Sequence, residues 1–93
     1  MKLTMKVEFP QFNPTFIKAN RGATVTLTLV NTNKVADFQP NHTFTSDILG
    51  VSVELQQGTT KTITFTLPSD GAPVRFYCIP HGRAGQQGAF YFS

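Results

Sequence analysis

The chain is expected to be all-β, built as a two-sheet sandwich or a small barrel. Three observations carry that expectation. Apolar residues alternate with polar ones at period two in nearly every segment. Clusters of Pro, Gly and Asn separate those segments. No stretch carries a sustained helical period. Seven or eight short antiparallel strands, each with one apolar face, must bury those faces against one another, and two packed layers are the simplest solution.

Taken in order, "KLTMKVEF" places Leu3, Met5, Val7 and Phe9 on one face. The segment from Pro10 to Pro14 reads as a turn, and "TFIKA" follows as a short strand. Asn20 to Gly22 turns the chain into "TVTLTLVN", where Val25, Leu27 and Leu29 alternate with threonines. Asn31 to Lys34 is again turn chemistry. "HTFTS" puts His42 and Phe44 on one face; Thr45 to Gly50 has room for one short turn, and "VSVEL" reads as a further strand. After Gln57-Gly58, "TKTITFTL" presents Ile63, Phe65 and Leu67. Pro68 to Pro73 leads into "VRFYC", with Val74, Phe76 and Cys78 on one face, and the last strand shows Phe90 and Phe92 on one side.

The 93 residues predict a single domain spanning 1–93. A core of that size is limited, so a bound metal would add usefully to stability. The net charge of +3 is spread over Lys2, Lys6, Lys18, Arg21, Lys34, Lys61, Arg75 and Arg83 among acids. Without a basic cluster interleaved with aromatics, nucleic-acid binding is not expected. No apolar run reaches the roughly 18 residues of a membrane span. The opening "MKLTMKVEF" alternates, so it does not read as a secretory signal.

A single cysteine excludes an internal disulfide, and it stands three residues before one of only two histidines. Each of these residues has a plain structural reading: an inward cysteine is usually a small core hydrophobe, and an isolated C-x-x-H pair fits zinc or chance equally well. The pattern is more informative as a whole. Cys78 lies on the inward face at the end of its strand, His81 follows in a glycine-rich loop, and a sandwich can bring His42 beside them. Two imidazoles and a thiolate make the donor set of a trigonal copper site. The competing chemistry, Cys78 as a nucleophile activated by a histidine, shows no third orienting residue or oxyanion loop.

At this point the chain resembles a family, the cupredoxins or small blue copper proteins, over nearly its whole length. The resemblance is carried by "FNPTFIKANRGATVTLTLVN", by "NHTFTSDILGVSVELQQGTTKTITFTL" and by the terminal "GAPVRFYCIPHGRAGQQGAFYF", which follows the family's C-x-x-H-x-x-x-x-M-x-G loop. It implies a Greek-key β-sandwich or barrel and one copper ion per chain, held equatorially by His42, Cys78 and His81. The family's methionine position is occupied here by Gln86, so Gln86 is expected as the axial ligand, as in the stellacyanins, with Gln87 as the alternative. Thr43 is expected to bridge the two ligand loops and to offer its backbone N–H to the Cys78 sulfur.

The resemblance further implies an electron carrier and not an enzyme. Protein redox partners would dock near His81, over a modest apolar patch of Pro80 and Ala84 with Arg83 beside it. A monomer in a periplasmic or other extracytoplasmic setting is the expectation. A copper-storage or chaperone module, or a domain cut from a larger copper protein, is the alternative. The asparagine of Asn41-His42-Thr43 forms a glycosylation sequon, but its place beside a ligand argues against modification.

Overall fold

The computed structural model describes residues 1–8, 11–33, 41–71, 73–79 and 86–92. Within them the chain forms nine strands: β1 (Lys2–Glu8), β2 (Gln11–Asn13), β3 (Phe16–Ala19), β4 (Thr24–Asn31), β5 (His42–Ser46), β6 (Val51–Leu55), β7 (Thr60–Thr66), β8 (Val74–Tyr77) and β9 (Gln87–Phe92). Among the described residues no helix is long and apolar enough to cross a membrane.

The strands make two sheets. One has the order β2-β1-β4-β7, and the other β3-β9-β8-β5-β6. The expected two-layer all-β architecture is therefore present, with two differences of detail. The strand beyond the expected eight is β2, in a segment whose flanking prolines read as a turn. Phe12 at its centre is 1% exposed, and Val7 of β1 is its register partner, so burial of one aromatic ring is enough to seat this short edge strand. The second difference is direction. β1 runs parallel to β4, and β3 runs parallel to β9, where antiparallel pairing was expected throughout. Side-chain alternation is the same in both kinds of ladder, so the sequence pattern carries no information on direction.

The alternating apolar residues meet between the sheets. Met5, Val7, Val25, Leu27 and Leu29 come from one layer, and Phe44, Leu55, Val74, Phe76 and Phe90 from the other; all are buried. Aromatic rings join the layers. Phe12 meets Phe76 edge-on with centroids 5.2 Å apart and Phe65 meets Phe90 edge-on at 5.6 Å, while within the second sheet Phe44 lies 4.9 Å from Phe76. Such contacts add to the area term because edge and face carry opposite partial charge.

The turn from β5 into β6 falls where a short turn was expected. It is closed by the Gly50 N–H donating to the Asp47 carbonyl at 3.2 Å, and Gly50 has φ 66°, a region that costs any residue with a Cβ. Gly88 in β9 is needed for a different reason. A Cβ there would run into the Thr15 carbonyl and lie 2.7–2.8 Å from the Phe76 ring. The obstruction is partly backbone and cannot rotate away. Gly88→Ala is expected to destabilise the fold by about 1–3 kcal/mol, lowering the melting temperature by roughly 4–8 °C per kcal/mol. An unchanged thermal transition would contradict this packing.

Candidate metal centre

Three inward-facing side chains meet at one end of the second sheet. His42 opens β5, Cys78 directly follows β8, and Gln86 directly precedes β9. Because β9, β8 and β5 are consecutive in the sheet, residues distant in sequence become neighbours on one face. The Cys78 N–H donates to the Gln86 carbonyl at 3.0 Å, which carries the β8–β9 ladder one step further. His42 is 2% exposed, and Cys78 and Gln86 are 0% exposed.

The polar atoms converge. The Cys78 sulfur lies 3.9 Å from His42 Nδ1, and Gln86 Oε1 lies 2.9 Å from the same nitrogen. Two ligands on one metal at ordinary thiolate and imidazole bond lengths would sit about 3.5–3.7 Å apart, close to the observed sulfur–nitrogen separation. The Gln86 amide is oriented by its other end: Nε2 donates to the Gln11 carbonyl at 3.1 Å, so the oxygen is the atom turned toward the histidine. On the far side of the imidazole, Nε2 contacts Asn33 Oδ1 at 2.5 Å. An amide oxygen can only accept, and each ring nitrogen faces one, so a neutral imidazole can satisfy only one of the two with its single proton. A sulfur and an amide oxygen thus both lie beside one imidazole nitrogen, a set of donor atoms suited to a cation.

Thr43 ties the two strands beside this point. Its backbone N–H donates to the Cys78 sulfur at 3.3 Å, and its hydroxyl accepts from the Ile79 N–H at 2.9 Å. The hydroxyl continues to Thr45 at 3.0 Å and from there to Ser52 at 3.0 Å. Both the sulfur contact and the loop bridge were expected of Thr43. Next to Cys78, the half-buried Tyr77 donates its hydroxyl to Asp47 at 3.1 Å. That hydrogen bond, with the nearby carboxylate charge, raises the phenol above its usual range. The phenol therefore holds its proton in the fold more firmly than in the open chain, a contribution present below the ordinary tyrosine range and lost above it. Solvent at the hydroxyl makes it slight.

Of the residues singled out from the sequence, His42, Cys78, Gln86 and Thr43 are together. Gln87 is exposed, and its Oε1 accepts from Arg75 Nη2 at 2.8 Å, away from the cluster. His81 lies outside the described residues, as do Pro80, Gly82, Arg83, Ala84 and Gly85 of the expected docking loop, and Phe9 of the first strand. Among the described residues no group of three His, Cys, Asp or Glu side chains gathers, and the third donor here is an amide. The sequence reading missed Asn33 and the Gln11 carbonyl. Asn33 stood in a segment read as a turn, and a backbone carbonyl leaves no mark in residue type.

No family model matches the sequence, and no curated protein does. Solved structures do match the architecture. Dithionite-reduced auracyanin from the photosynthetic bacterium Roseiflexus castenholzii is similar with a TM-score of 0.74 at 16% identity, covering 99% of this chain and 96% of that one. The metal-binding domain of a Cu(I)-exporting P-type ATPase from Streptococcus pneumoniae, solved with Cu(I), is similar with a TM-score of 0.73 at 16% identity, covering 99% of this chain and 84% of that one. Auracyanin B gives a TM-score of 0.71 at 20% identity, covering 98% of this chain and 88% of that one. At these identities the likeness is one of architecture, and it establishes that the chain has a cupredoxin-like fold.

Proposed function

We propose that this chain is a mononuclear type 1 copper protein that carries single electrons between protein redox partners. In this reading His42, Cys78, His81 and Gln86 would hold the copper. The observation that supports it most is the convergence of Cys78 Sγ, His42 Nδ1 and Gln86 Oε1 on adjacent strands of one buried sheet face. Bound copper would supply a one-electron couple, Cu(II)/Cu(I).

The protein's own residues would set the terms of that couple. Cys78 provides the soft thiolate that suits Cu(I), and the Gln86 oxygen provides a harder donor that suits Cu(II). The Thr43 N–H withdraws charge from the sulfur, and the Gln11 carbonyl fixes the direction of the amide. Burial keeps water from the donors. Three donors fixed by sheet register limit the rearrangement between oxidation states, which is what a carrier requires. Docking of a partner near His81, a monomeric state and an extracytoplasmic location belong to the same proposal.

The likeness to a copper exporter's metal-binding domain favours a second reading, a copper-storage or delivery module, in a protein of its own or as part of a larger one. Voltammetry separates the two. A carrier gives a reversible Cu(II)/Cu(I) wave from the folded protein, whereas a storage module binds Cu(I) without one.

Metal should also stabilise the fold. At free copper near 100 times Kd, linkage predicts about 2.7 kcal/mol, or roughly 10–20 °C in melting temperature for a domain of this size. Ligation requires Cys78 deprotonated and the coordinating imidazole nitrogens unprotonated, so affinity should fall as pH is lowered and protons compete for the same atoms. Equal melting curves with and without copper, or an affinity that rises on acidification, would count against the site.

A further inference from the structure

We propose that Asn33 is a positioning residue for His42, locking the ring as the Nε2–H tautomer so that the Nδ1 lone pair faces Cys78 and Gln86. The inference rests on the copper reading only for its effect on metal affinity; its effect on the ring is independent of that reading.

Two asparagines are buried where the chain leaves β4. Asn31 is 2% exposed and Asn33 is 6% exposed, and a buried amide is costly unless it is hydrogen-bonded. Asn31 Nδ2 donates to the Leu55 carbonyl at 2.8 Å. Leu55 is the register partner of His42 in the other sheet. Asn31 therefore clamps the first sheet to the second at the residue beside the histidine. Its Oδ1 accepts from the Asn33 backbone N–H at 2.9 Å, which fixes where Asn33 begins. Asn33 Oδ1 then meets His42 Nε2 at 2.5 Å.

The two asparagines thus bracket His42 from both sides, holding its strand partner through Leu55 and its ring through Nε2. The opposite nitrogen faces the Gln86 oxygen at 2.9 Å, and two acceptors compete for one ring proton. The Asn33 contact is the shorter, and Asn33 is fixed from behind by Asn31. Asn33 therefore takes the proton and leaves Nδ1 to the cluster. An apolar residue at 33 would forfeit that bias, and the proton would be free to move to Nδ1, where it would occupy the coordinating atom. An outer hydrogen-bond partner of a metal-binding histidine typically contributes about 10–100-fold in metal affinity.

The test uses the full chain, metal-free and loaded with Cu(I), with the imidazole nitrogens observed by long-range ¹H–¹⁵N NMR and Cu(I) affinity measured by chelator competition. With the ring neutral, wild-type protein should show His42 protonated at Nε2. Asn33→Leu should show Nδ1–H or a mixture, and a Cu(I) affinity about 10–100-fold weaker. Asn33→Asp keeps an acceptor at the same place and should restore both the tautomer and the affinity. The wild-type spectrum alone is decisive if Asn33→Leu does not fold, since an Nδ1–H tautomer there overturns the proposal. So do an unchanged tautomer and affinity in a folded Asn33→Leu. If wild-type protein shows the Nε2–H tautomer, the Asn33 variants shift it as stated, and no form binds Cu(I), then Asn33 positions the ring and the copper reading is the part that fails.

Discussion

Cys78→Ser is expected to abolish the intense visible absorption of the Cu(II)-loaded protein while leaving the sandwich folded. That absorption requires a thiolate bonded to Cu(II), and Cys78 is the chain's one cysteine. Serine occupies nearly the same volume, and the Thr43 N–H that now donates to sulfur at 3.3 Å remains available to the new hydroxyl. The structural cost should therefore stay near that of one imperfect hydrogen bond, about 1 kcal/mol. The loss of Cu(I) affinity should exceed the roughly 10–100-fold typical of an outer-shell change, because in the proposed site the thiolate is the soft donor. A Cys78→Ser protein that keeps its colour and its affinity would end the assignment of the sulfur.

Gln86→Met is expected to raise the reduction potential and to weaken the fold at the same time. The two effects come from opposite ends of one amide. Replacing the oxygen by a softer thioether favours Cu(I). A rise of about 59 mV corresponds to a tenfold change in the ratio of affinities for the two oxidation states, and an effect of at least that order is expected. Losing Nε2 deprives the Gln11 carbonyl of its 3.1 Å donor, at a cost of about 1–3 kcal/mol if that carbonyl stays dry. Gln86→Leu removes both ends and should also raise the potential and lower stability. Gln87→Met should do neither to a comparable degree, since Gln87 is exposed and bonded to Arg75. Midpoints unchanged in both Gln86 variants would show that the amide is not a ligand.

The parts of this molecule that were legible in the sequence are those that depend on alternation alone. Val25, Leu27 and Leu29 face inward because a strand turns every second residue to one side, and burial selects that side. Cys78 was placed inward by the same rule, from Val74 and Phe76 before it. Alternation does not specify which strand lies beside which. The order β9-β8-β5, which puts Gln86, Cys78 and His42 side by side, follows from the path of the chain between sheets and was not read from the sequence; a sandwich alone allowed His42 to approach Cys78, and the place of Gln86 came from the resemblance to a known family.

Other features were hidden for local reasons. The prolines around Gln11–Asn13 disguised an edge strand whose register is set by the burial of Phe12. Asn31 and Asn33 carried the composition of a turn, and asparagine is common both in turns and in buried polar networks. Only the position of Leu55 and His42 across the interior shows which of the two uses applies.

Whether a single copper ion is held by the Cys78 sulfur together with imidazole nitrogen is tested by copper K-edge X-ray absorption on protein loaded with one equivalent. One short copper–sulfur contact is expected, of the same order as the roughly 2.3 Å of a metal–thiolate bond. Outer-shell scattering from two imidazoles, assigned to His42 and His81, is also expected. A spectrum fitted by nitrogen and oxygen alone, with no sulfur in the first shell, would contradict this ligand set.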